Sequence, residues 1–90
     1  MASIMRKSVA AIREPDFTEE EVKSEVGKVV CLVADLNGFR QGTIGEVVDF
    51  HVEPQSDQFE VVVRFDSKNG SEPIYDLFSR SKYDRFLRDA

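Results

Sequence analysis

His51 is the single histidine of this chain and Cys31 its single cysteine. These two side chains have the best claim to metal or nucleophilic chemistry. Strand alternation around His51 puts it on one face with Asp49 and Glu53. A zinc site needs several converging nitrogen or sulfur ligands, and one imidazole among carboxylates does not supply them. The expectation is a solvated strand face and no metal site. Cys31 falls in the most apolar run, Val29-Val30-Cys31-Leu32-Val33-Ala34. A nucleophilic thiol wants an electropositive, partly exposed setting with a base at hand. The run around Cys31 predicts a small buried hydrophobe instead. No serine sits in a nucleophile elbow, and no glycine pattern matches a phosphate loop. Asp49, Glu60 and Arg64 are expected close together across one hairpin. Paired carboxylates do acid–base work inside a cleft. On an open sheet they serve as cross-strand charge pairs, which is the expectation here. The chain is read as no enzyme, with no catalytic residues and no cofactor.

Two sets of side chains suit binding better than catalysis. Phe39 and Arg40 sit in a loop beside Leu36, and an exposed aromatic next to arginine makes a good contact pair for a protein or a base. Phe39 has an equal alternative, which is to fold back over the end of the sheet. Val47 and Val62 are expected to face outward on adjacent strands. They would then be covered by an N-terminal helix or by a second copy of the chain. The partner-binding candidates are therefore Leu36, Phe39, Arg40, Val47 and Val62. A rival set, Arg40, Lys68, Arg80, Lys82 and Arg85, would serve RNA or DNA. The formal net charge of -5 disfavours that class, because phosphate repels such a molecule on average.

The elements that must position these residues can be read from periodicity. Residues 1–15 form a leader ending at Pro15, in which Met5, Val9 and Ile12 have helical spacing. It fits either one amphipathic helical stretch or a frayed terminus. Thr18-Glu19-Glu20-Glu21 is a capping box, and Phe17 with Val22 matches a hydrophobic staple. A helix is expected from about 19 to 26, stopped by Gly27. A strand over about 28–34 follows, apolar on both faces. The loop 35–41 contains Asn37-Gly38. The strand over 43–52 places Ile44, Val48, Phe50 and Val52 on one face. In the strand 59–66, Phe59, Val61, Val63 and Phe65 alternate with Glu60, Val62, Arg64 and Asp66, the signature of one buried face. Asn69-Gly70 marks a tight hairpin turn to a fourth strand over about 72–78. Ser79 or Ser81 caps a last helix with the stripe Tyr83, Phe86, Leu87.

Four short strands joined by hairpins leave long edges if they lie flat. Gly42 and Gly45 suit the corners of a small, strongly bent antiparallel barrel. The segment Asn37-Gly38-Phe39-Arg40-Gln41-Gly42-Thr43-Ile44-Gly45-Glu46-Val47-Val48-Asp49 resembles the first hairpin of SH3-like barrels of the KOW type. The run from Gly45-Glu46-Val47 through Val61-Val62-Val63-Arg64-Phe65-Asp66 is also similar to the small barrel subunit of photosystem I that helps dock ferredoxin. The resemblance covers about residues 29–78 and implies a mainly β, SH3-like barrel with short flanking helices. Barrels of this kind bind RNA, ribosomal proteins, redox partners and peptides. The proline common in the KOW loop is missing between Gly38 and Phe39, and so is most of a basic surface.

Ninety residues is room for one domain, read as residues 16–90 behind the leader. One cysteine allows no internal disulfide, and a secreted domain of this size is usually stapled, so a reducing cytoplasm is expected. The run 29–34 is too short to span a bilayer, and 9–12 is too short for a signal peptide core. The function expected is a non-catalytic interaction module, binding another protein or its own copy, with nucleic acid as the alternative and no membrane role.

Overall fold

The computed structural model describes residues 16–66 and 72–90. The leader, the Asn69-Gly70 turn and Lys68 lie outside the described residues. Within them the chain is mainly β. Helix α1 (Glu19–Glu25) is followed by strands β1 (Val29–Leu32), β2 (Ile44–Val52), β3 (Phe59–Phe65) and β4 (Ile74–Phe78). Helix α2 (Arg80–Phe86) and strand β5 (Leu87–Asp89) complete the order. All five strands form one antiparallel sheet in the order β4-β3-β2-β1-β5. β4 and β5 are its two edges, so the sheet is open, not closed into a barrel as expected from the hairpin pattern. The return of β5 to β1 adds a fifth strand to the four expected from periodicity.

The helix ends follow local chemistry. The Thr18 side chain accepts from the Glu21 amide at 3.1 Å, and Glu21 accepts from the Thr18 amide at 2.8 Å. This is the capping box read from the sequence. Gly27, at φ 99°, takes the left-handed conformation after the helix. Ser79 caps α2 by accepting from the Lys82 amide at 3.2 Å.

The inner face of the sheet carries the core. Val30, Leu32, Val47, Val61, Val63, Phe65, Phe78 and Leu87 are buried on it, with Val22 of α1 and Phe17. Tyr83 and Phe86 of α2 pack partly against the same cluster, so both helices lie on this side. Gly45 is part of the packing. A Cβ there would lie 2.7 Å from Phe65 Cε1 and 2.9 Å from Val63 Cγ1. Only a missing side chain lets β2 pass so close to those two groups.

One irregularity reorders β2. The register with β3 shifts between Val47 and Asp49, which is a β-bulge. An extra residue in one strand reverses its alternation. Beyond the bulge, Phe50 pairs with Val61 and packs against the core as expected. Before it, Gly45 and Val47 face inward and Ile44 faces out at 54% exposure. The expectation that Val47 faces outward is therefore corrected: it is 0% exposed, because the bulge flips its parity. No helix among the described residues is long and apolar enough to cross a membrane.

Candidate functional site

The outer face of the sheet is built by alternation from the same strands. In β3 it receives Glu60, Val62 and Arg64, and their register partners place Tyr75 and Leu77 of β4 beside them. In β2 it receives Ile44, Glu46, Asp49 and His51. Val29 and Cys31 of β1 pair with Glu46 and Ile44, and Arg88 of β5 pairs with Cys31. Four large apolar side chains stand out on this face: Tyr75 at 58% exposure, Val29 at 50%, Leu77 at 40% and Ile44. Val62 is half-buried between Leu77 and Asp49. Among the described residues no helix covers this side, so Tyr75 and Leu77 stand exposed on one flank of the face and Val29 and Ile44 on the other.

The polar centre of the face is an ion pair. Arg64 donates to Glu46 at 2.9 Å, and its Nε lies 3.4 Å from Asp66 Oδ1. Alternation alone places Arg64 with Asp49 and Glu60. The bulge brings Glu46 opposite Arg64 instead, sets Asp49 opposite Val62, and pairs Glu60 with His51. One register row thus runs Tyr75–Arg64–Glu46–Val29 across four strands. Cys31 is half-buried on this face, not sunk in the core, because Val30 and Leu32 take the inner positions of β1.

The loop candidates fall elsewhere. Leu36 and Phe39 exchange backbone hydrogen bonds of 2.9 and 2.8 Å around Asn37 and Gly38. Both of those residues have positive φ, 52° and 86°, which is the tight hairpin turn that Asn-Gly favours. Phe39 folds back: its ring centroid lies 5.0 Å from that of Phe65. Leu36 also packs partly against the core, and Arg40 remains exposed. Of the five partner-binding candidates, Val62 alone lies on the outer face, Arg40 stands free of it, Leu36 and Phe39 are half-buried, and Val47 is in the core. Asn37 donates to Asp76 at 2.7 Å, which ties the hairpin to β4.

Much of the basic charge is spent within the fold. Arg80 makes two contacts of 3.0 and 3.1 Å to Glu21, and its guanidinium carbon lies 5.6 Å from the centroid of the Phe17 ring. The Thr18 amide and the Arg80 guanidinium hold the Glu21 carboxyl below its ordinary pKa. Lys82 binds Asp76 at 3.2 Å and the Leu77 carbonyl at 3.0 Å. The Leu77 amide donates to the Asp76 side chain at 2.9 Å. These contacts satisfy both backbone groups of Leu77 on the free side of β4, which blunts that edge against strand addition. Tyr83 donates to Glu25 at 2.6 Å, and burial together with that contact pushes its hydroxyl pKa above the ordinary value. Among the described residues no group of three His, Cys, Asp or Glu side chains converges as a metal set.

Compared with known protein families, with curated proteins and with solved structures, the chain has no match.

Proposed function

We propose that this chain is a non-catalytic interaction module of the SH3-like kind, and that it binds another polypeptide through the outer face of its sheet. The observation that carries this reading is the cluster of Tyr75, Leu77, Ile44 and Val29 around the Arg64–Glu46 pair, on a face that no described helix covers. Aromatic and arginine side chains are the groups that anchor protein interfaces. The order β4-β3-β2-β1-β5, with the last strand returning to the first across a short helix, supports the SH3-like assignment. The bulge in β2 supplies the bend such a sheet needs. A lone, half-exposed Cys31 fits a reducing compartment such as the cytoplasm. Nucleic acid is the weaker reading, because Arg80 and Lys82 are held by Glu21 and Asp76.

The test compares the intact chain with a variant carrying Tyr75→Ser and Leu77→Ser, and with a control carrying Lys23→Ser on α1. Each is immobilised and exposed to a lysate. A polypeptide retained by the intact chain and the control but released by the double variant supports the reading. Equal retention by all three refutes the face as the binding surface.

A further inference from the structure

We propose, building on that reading, that the occupant of the outer face is a second copy of this chain, packed sheet to sheet about a two-fold axis. The axis lies in the interface, parallel to the strands, between β2 and β3. A face that docks on its own copy must carry its own complement, because a two-fold contact sets residue i against j and j against i.

The register supplies that complement. In the row Tyr75–Arg64–Glu46–Val29 the sequence of characters is apolar, cation, anion, apolar. Strands lie about 4.8 Å apart, so the row spans about 14 Å. Rotation about the proposed axis reverses the row. Arg64 then faces Glu46 of the copy, Glu46 faces its Arg64, and Tyr75 covers its Val29. The same axis acts on the other β2–β3 couple, His51 and Glu60, and sets each imidazole against a carboxylate. Two sheets packed face to face at about 10 Å put long side chains of this kind within reach of each other. Between these two rows the axis sets Asp49 of each chain over Val62 of the other, and it leaves Asp66, 3.4 Å from Arg64 Nε, as a charge at the margin. A rim tolerates such charges. The face of four to five short strands measures roughly 20 Å by 20 Å, smaller than a standard stable interface, so the association is weak and concentration-dependent.

Charge reversal gives a test that only this pairing passes. Arg64→Glu leaves two carboxylates at the centre of the row, and Glu46→Arg leaves two guanidinium groups. Each variant alone sets like charges against like. An equimolar mixture sets every carboxylate against a guanidinium. Sedimentation of the full chain is expected to show a monomer–dimer equilibrium. Each single reversal weakens it roughly tenfold or more, and the mixture restores a dimer of one chain of each kind. Far-UV circular dichroism identifies any variant that loses the sheet, and Tyr75→Ser, which changes no charge, serves as a second probe that also weakens the dimer. A full chain that stays monomeric up to millimolar concentration overturns the second copy as occupant. So does a mixture no more associated than its components. A monomeric chain that still retains another polypeptide through Tyr75 and Leu77 overturns this inference alone and leaves the polypeptide-binding reading standing. Loss of that retention with an intact dimer removes only the other partner.

Discussion

Gly45→Ala is the sharpest perturbation of the packing that fixes the two faces. The added methyl would sit 2.7 and 2.9 Å from two carbons of the Phe65 ring and 2.9 Å from Val63 Cγ1. Ordinary carbon contacts are about 3.5–4.0 Å, so either the ring or the strand must move. The ring has little room. Phe65 is fully buried between Phe39, at 5.0 Å between centroids, and Phe78, at 6.3 Å. Overpacking of this kind costs about 1–3 kcal/mol. With a urea slope of about 1 kcal/mol per molar for so small a domain, the midpoint falls by about 1–3 M. Equilibrium urea unfolding followed by circular dichroism measures it. Gly27→Ala is the control for backbone strain alone, since Gly27 has φ 99° and nothing near its missing Cβ. A Gly45→Ala midpoint equal to that of the unchanged chain refutes the Gly45–Phe65 register, and the facing of every β2 residue before the bulge goes with it.

The bulge makes a second prediction: Val47→Asp unfolds the chain, whereas Val62→Asp leaves it folded, as judged by amide spectra. Thr18→Ala removes the capping hydrogen bond from α1 and lowers stability by about 1 kcal/mol in urea unfolding. The raised Tyr83 pKa means that the folded state holds this proton more tightly than the unfolded state. Its contribution is full below the unfolded value, near pH 10, and is lost as pH rises beyond it. Urea midpoints therefore fall above about pH 10, and less steeply in Tyr83→Phe. For Glu21 the folded pKa is lowered, so its contribution is present above the unfolded value and lost on acidification. Glu21→Gln should flatten the acid side of the same profile.

The parts of the fold legible in the sequence were those fixed by neighbours along the chain. Thr18 and Glu21 are three residues apart and cap each other regardless of what the sheet does. The alternation Phe59-Val61-Val63-Phe65 is unbroken, and its inward facing follows from period two alone. Val47 is the opposite case. One extra residue between it and Phe50 reverses its side, and Val47-Val48 gives no local sign of which valine the strand will bury. β5 escaped for another reason: Leu87-Arg88-Asp89 is too short and too charged to suggest a strand, and only pairing with the already apolar β1 makes it one. The candidate site shifted with these two features. Asn37-Gly38 carried a turn signal strong enough to have fixed the hairpin, which in turn carries Phe39 back onto Phe65. Tyr75 and Leu77 join Val62 and Arg64 on one face only through the register of β4 with β3.

The outer face of the sheet is proposed to be where this chain meets its own copy. Amide spectra of the full chain, recorded across a dilution series from millimolar to micromolar, test it most directly. Concentration-dependent shifts are expected at Val29, Glu46, Val62, Arg64, Tyr75 and Leu77, with α1 unchanged. Spectra that do not change on dilution, or shifts centred on α1 with the outer face silent, would contradict it.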